Sequence, residues 1–200
     1  MMAKAIQIIQ AEHRSLSALL TCFHSMVEDI EKGAAQPDFE IFHLILDYLN
    51  SFLYQMHHPK EDDYLYKALR QRHAEAEAII SELEEEHQQG KDFVQRLHDT
   101  ILAYEKEGKE AFPAFQAAVD DYYQFEWDHM HKEENTVLPM AWKHLTAEDW
   151  ETINAAFTAH EDPIFGAKPK AEFSRLLSVI AQLAPPPYGL GAKKAARPAE

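Results

Sequence analysis

His57 and Glu61 stand four residues apart in HHPKEDDYLY (residues 57–66), and His129 and Glu133 repeat that spacing in HMHKEENTVL (residues 129–138). On a helix, residues four apart share a face, so each imidazole points the same way as its carboxylate. Two more histidines, His13 and His87, each follow a glutamate in an EH pair at 12–13 and 86–87. Imidazole nitrogen and carboxylate oxygen together suit iron, manganese or zinc. Left in a protein core without partners, such groups cost several kcal/mol each. Two cations held in common compensate all six side chains at once, which favours a metal pair over isolated core histidines.

The elements that must position these residues are helices. Six glycines in 200 residues leave little room for β-turns, and the apolar period is helical throughout. A first stripe reads Ile6, Ile9, His13, Leu16, Leu20, Phe23, Val27 and Ile30; Gly33 ends that helix and Asp38 caps the next. A second reads Phe42, Leu46, Leu49, Leu53, His57, Glu61 and Tyr64. A third carries Ile80, Leu83, His87, Gly90, Val94, Leu97, Ile101 and Tyr104 up to a break in EKEGKEAFP. The fourth carries Phe115, Val119, Tyr122, Glu126, His129, Glu133, Thr136 and Met140 and stops near Pro139. Thr146 with Asp149 forms a capping box for a shorter fifth helix, and a sixth runs to about Leu183.

His13 precedes His57 by 44 residues, and His87 precedes His129 by 42. Helices one and two therefore repeat as helices three and four. The expected fold is all-α: an up-down-up-down four-helix bundle over residues 1–145, a helical extension over 146–184 packed on it, and a disordered tail over 185–200. The two related hairpins bring His13, His57, Glu61, His87, His129 and Glu133 to one level of the bundle.

A lone histidine on helices one and three, with H-x-x-x-E on helices two and four, resembles the hemerythrin-like, HHE cation-binding family. The pattern is met by His13, by His57 with Glu61, by His87, and by His129 with Glu133, and the likeness covers about residues 5–142. One H-x-x-x-E is a weak signal; two, each preceded at a matched distance by EH, are a strong one. The resemblance implies two iron ions joined by an oxo or hydroxo bridge, with manganese and zinc as alternatives, and the two glutamates bridging. It implies O2, NO or peroxide as the small-molecule partner, or iron delivery to damaged iron centres. The other classes are a sensor of O2, iron or redox state, which predicts a fused output segment, and a metal-stabilised scaffold without turnover, which predicts closed coordination.

The chain departs from the oxygen carriers of that family in one informative place. Leu83 stands where they carry a second helix-three histidine, and Lys91 lies one turn the other way. Their fourth-helix carboxylate is an aspartate in a longer spacing, where this chain has Glu133. Four imidazoles, two bridging carboxylates and the bridge leave two metal positions open, one more than in a five-histidine carrier. That count predicts reactivity rather than stable O2 carriage. Glu126, Tyr122 and Glu84 lie within reach as extra ligands by spacing.

Other chemistry-bearing residues receive plainer readings. His58 precedes Glu61 by three and could substitute for His57 as a ligand by spacing, but it lies off the stripe; Pro59 removes a helix hydrogen bond beside the motif. His131 and Glu134 read as exposed or outside the ligand set. His24 and His98 sit three turns past His13 and His87, about 16 Å along the axis, and suit flank packing. SELEEEH (residues 81–87) reads as a solvated acidic face, and Tyr54, Tyr64 and Tyr122 as core or rim aromatics. The single cysteine, Cys22, reads as a buried thiol and excludes a disulfide framework, Cys-based zinc and iron–sulfur clusters. Acidic residues outnumber basic ones 34 to 19, for a net charge of -15, which argues against nucleic acid and anionic membranes as partners. The N-terminus turns polar too early for a signal peptide, and no apolar run approaches the roughly 18 residues of a bilayer span. A soluble cytoplasmic protein is the expectation; the spacing leaves the oligomeric state open.

Overall fold

A computed structural model describes residues 3–166 and 170–183; the tail expected over 185–200 lies outside the described residues. These residues are helical, with turns and short loops and no strand among them. Helix α1 spans Lys4–Glu31 and closes on Gly33, whose φ of 68° is a conformation that glycine adopts at little cost. Helix α2 runs over residues 39–72, and Asp38 opens it by accepting a hydrogen bond from the Ile41 amide at 3.3 Å. Helix α3 is Glu77–Glu107, ended by Gly108 at φ 69°. Helix α4 covers residues 112–144, α5 is Ala147–Thr158 and α6 is Ser174–Leu183. The expected capping box of α5 is present, with the Thr146 hydroxyl and the Asp149 carboxylate each accepting from the other's backbone amide.

The apolar stripes bury as two clusters separated by a polar layer. One holds Ile6 and Ile9 of α1, Leu65 and Tyr66 of α2, Ile80 and Leu83 of α3, and Val137 of α4. The other holds Phe23, Phe42, Leu97 and Phe115 from the same four helices. Its aromatic rings meet at tilted angles, with centroids of Phe42 and Phe115 5.1 Å apart, a geometry contributing about 0.5–1.5 kcal/mol per pair beyond area burial. Chain order through the clusters reverses from each long helix to the next. Between them lie His13, His57, Glu61, His87, His129 and Glu133, all buried. The C-terminal helices cover both ends: Trp150, Ile153 and Phe157 of α5 join the first cluster, and Leu176 and Ile180 of α6 the second.

The eight residues read as the stripe of α3 are the eight buried residues of that helix. The stripes of α2 and α4 fail beyond their glutamates, because both helices contain π-helical turns. These are Leu49–His57 and Glu61–Tyr66 in α2 and Glu133–Val137 in α4. A π turn takes up extra residues and rotates everything after it. Tyr64 is accordingly 40% exposed and Leu65 and Tyr66 face inward. Past Glu133, Val137, Leu138 and Ala141 are buried in place of Thr136 and Met140. Pro139 does not end the fourth helix, which continues to His144. Pro59 and Pro139 each sit just after a π segment, in the first turn of the following α-helical piece, where a missing N–H is tolerated.

Candidate metal centre

Four helices contribute to the polar layer, and a ring of carboxylates holds its histidines. Glu12 of α1 lies 2.7 Å from Nδ1 of His57 on α2, and Asp62 of α2 lies 2.7 Å from Nδ1 of His87 on α3. Glu86 of α3 lies 2.9 Å from Nδ1 of His129 on α4, and Glu134 of α4 lies 3.1 Å from Nδ1 of His13 on α1. Each helix thus supplies the carboxylate that orients the histidine of the next, and the last closes on the first. An ionised carboxylate only accepts, so each Nδ1 donates, and in the neutral ring each Nε2 keeps its lone pair. Carboxylate-bonded Nδ1 is the usual arrangement behind a metal-ligating Nε2.

The Nε2 atoms point inward. Those of His87 and His129 lie 3.1 Å apart. With both Nδ1 atoms donating, two neutral rings would set lone pair against lone pair, which a proton on one Nε2 or a metal cation between them relieves. Two nitrogens about 2.1 Å from one ion and at right angles are about 3.0 Å apart, which the observed separation fits. Glu133 reaches both sides of the layer, with Oε2 3.1 Å from His13 Nε2 and Oε1 3.6 Å from His129 Nε2. Glu61 does the same, with Oε2 3.4 Å from His57 Nε2 and 3.7 Å from His87 Nε2. Both oxygens of Glu61 are buried without a hydrogen-bond partner among the described residues, a cost that a cation removes. Three groups have ligand atoms within 4.8 Å of one another: His13, His57 and Glu61; Glu61, His87 and Glu133; and His58, His87 and His129. The donor set fits one or more cations of the iron, manganese or zinc kind.

The electrostatics show how much charge the layer concentrates. Burial, reinforced by the Glu133 charge, pushes the Glu61 carboxyl well above the usual carboxylate range. Burial acts on Glu133 too, but the His129 and His13 charges outweigh it and hold that carboxyl below its ordinary value. Burial disfavours the His13 imidazolium, yet hydrogen bonds to Glu133 and Glu134 raise its pKa to about 9. Tyr66 donates to Glu133 Oε1 and stacks on the His87 ring, with centroids 5.7 Å apart.

The six residues singled out by spacing are brought into this one layer. His58, read as off the stripe, is buried there too, stacked on His87 with centroids 3.9 Å apart. Two consecutive residues are buried at this point in both halves, His57 with His58 and His129 with Met130, and in the first half the second of them is an imidazole facing α3 and α4. Among the extra ligands considered, Glu84 is directed elsewhere: it pairs with Arg70 at 2.9 Å. Glu126 and Tyr122 are buried beside the layer. Tyr54 donates to Glu126 Oε1 at 2.8 Å, and its hydroxyl lies 3.3 Å from that of Tyr122. Tyr54 reaches across because α3 has Gly90 at that point, where a Cβ would lie 2.2 Å from the Tyr54 hydroxyl.

SELEEEH is not wholly a solvated face, since Glu86 turns inward to His129. Its signal was in the sequence: both EH pairs place a glutamate at equivalent positions of the two halves, and Asp62 and Glu134 likewise follow the two matched glutamates. Glu134 is one of those orienting carboxylates, whereas His131 is exposed and hydrogen-bonded to Asn135. His24 pairs with Asp120 at 3.0 Å and His98 is exposed, both away from the layer.

A family model described as the hemerythrin HHE cation-binding domain matches residues 4–141. No curated protein and no solved structure matches the chain significantly. No helix among the described residues is long and apolar enough to cross a membrane.

Proposed function

The chain belongs to the hemerythrin HHE cation-binding family, and on that premise we propose that it is a non-haem di-iron protein that binds or reacts with O2, NO or peroxide. The observation that carries the reading is the inward convergence of four Nε2 atoms and two straddling carboxylates, each imidazole backed by its own carboxylate. In this reading His13 and His57 serve one metal ion, His87 and His129 the other, and Glu61 and Glu133 bridge. Residues 1–145 form the metal-binding up-down-up-down bundle, which the reversing chain order through the two apolar clusters supports. The extension proposed over 146–184 packs on it through described residues such as Trp150, Phe157, Leu176 and Ile180.

An iron pair supplies electrons and open coordination positions to a small molecule. The residues of the chain supply the rest. Glu12, Asp62, Glu86 and Glu134 fix the tautomers, the apolar clusters above and below the layer exclude water, and Tyr66 holds Glu133 in place. A cavity of about 340 Å³ beside α1 and α4 is lined by Ile6, Gln10, Glu134, Leu138, Pro139 and Trp142. Its mainly apolar wall suits a small neutral molecule, and Glu134 connects it to His13.

Elemental analysis of the aerobically purified protein, with an optical spectrum before and after reduction, tests the reading. Two metal ions per chain, mainly iron, and near-ultraviolet charge-transfer bands that reduction abolishes are the expected result. Stoichiometry near zero, or a colourless zinc protein from iron-replete cells, would overturn it.

A further inference from the structure

Resting on the metal-pair reading, we propose that His58 is a fifth imidazole ligand, so that the two metal positions are unequal: three histidines hold one and two hold the other. His58 is buried, and its Nδ1 has no hydrogen-bond partner among the described residues. It differs in this from His13, His57, His87 and His129, each of which has a carboxylate on Nδ1. Its neighbours are instead the rings of His87, stacked at 3.9 Å and 12°, and His129, edge-on at 5.4 Å. The ligand atoms of these three histidines lie within 4.8 Å of one another.

With His87 and His129 already donating through Nδ1, one added proton bridges at most two of these three imidazoles. A cation accepts the three lone pairs together. A merely space-filling side chain at this position would be apolar. The corresponding residue of the second half shows that case: Met130, buried and 3.9 Å from the Ser17 hydroxyl through its sulfur.

The two halves differ at this point. The π segment Leu49–His57 precedes His58 in α2, whereas α4 is α-helical over Phe112–Lys132 and turns π-helical only at Glu133. Both halves bury two consecutive residues here, but the second of them lies against the histidines of α3 and α4 in the first half, as His58, and joins the apolar cluster in the second, as Met130. Five imidazoles, two bridging carboxylates and a solvent-derived bridge fill one six-coordinate metal and leave room on the other, the one held by His13 and His57. The nitrogen count then equals that of a five-histidine carrier although Leu83 is apolar and packed in its cluster. The missing helix-three histidine does not by itself set the reactivity. The small molecule binds on the His13 side.

The test uses the full chain loaded with iron, and a second sample loaded with zinc. A crystal structure with anomalous differences should place a His58 nitrogen about 2.0–2.2 Å from one of two metals. In His58→Leu, one metal equivalent should be lost to a chelator about tenfold faster or more and the other at the wild-type rate. Iron Mössbauer spectra should resolve two environments in the wild type. Wild-type protein holding fewer than two metals would overturn the metal-pair reading itself. Two metals with His58 beyond bonding distance, or retention unchanged in His58→Leu, would overturn the fifth ligand alone. Should His58→Leu fail to fold, the wild-type anomalous map decides.

Discussion

Glu12 and Glu134 perform the same task for His57 and His13, and the structure assigns them different weights. The Glu12 carboxylate lies 2.7 Å from His57 Nδ1 with 7% of its side chain exposed. That of Glu134 lies 3.1 Å from His13 Nδ1 with 37% exposed. A charge-assisted hydrogen bond sheltered from water contributes about 1.5–3 kcal/mol. At 1.4 kcal/mol per decade, Glu12→Ala should weaken metal binding by about 10–100-fold. Water can replace the Glu134 carboxylate, so Glu134→Ala should cost only a few-fold. Glu12→Gln keeps an acceptor for Nδ1–H and should fall between.

One side effect needs control. Lys60 Nζ is buried without a hydrogen-bond partner among the described residues, and Glu12 lies 3.9 Å away. Removing the carboxylate leaves that ammonium poorly compensated and lowers stability on its own. Lys60→Met added to Glu12→Ala should restore the melting temperature of the metal-free chain but not metal affinity. The assay is competition with a chromophoric chelator on the loaded full chain, alongside thermal melts of the metal-free variants. Equal losses from Glu12→Ala and Glu134→Ala, or affinity recovered by Lys60→Met, would refute the reasoning.

His57→Ala and His129→Ala should each lower metal content and melting temperature, since binding is linked to folding, whereas His144→Ala, stacked on His73 outside the layer, should change neither. Gly90→Ala should destabilise the fold by about 1–3 kcal/mol through the clash with Tyr54, despite the roughly 1 kcal/mol that alanine gains in a helix. Denaturant melts of Gly90→Ala with and without Tyr54→Phe would check this, and a stabilised Gly90→Ala would contradict it. Burial pushes the Cys22 thiol up to about 12, so at pH 8 about one thiol in ten thousand is ionised. Ellman's reagent should find no reactive thiol in the native protein and one after unfolding.

The sequence by itself determined the helical class, the two-fold repeat and the six-residue layer. Those features depend on side-chain type at a fixed angular step, and α1 and α3 keep that step throughout: the stripe of α3 is buried residue for residue. The capping residues Asp38 and Thr146 were equally legible, since a cap is a contact within one turn. Tertiary structure decided what depends on a changed step or on a neighbouring helix. The π turns beginning at Glu61 and Glu133 rotate the chain beyond them, which moves Tyr64 outward and Tyr66 onto Glu133. His58 too is placed by its neighbours, against the rings of His87 and His129 on the next two helices. The orienting carboxylates adjoin residues of the layer in sequence yet serve histidines on the next helix, so helical spacing alone assigned them no partner. Glu84 and Glu86 make the point within three residues: one meets Arg70 at the surface and the other His129 in the layer. A helical period of 3.6 residues says which way a side chain points. Which atoms it meets depends on the helices packed alongside, and on how far a π turn has rotated each of them.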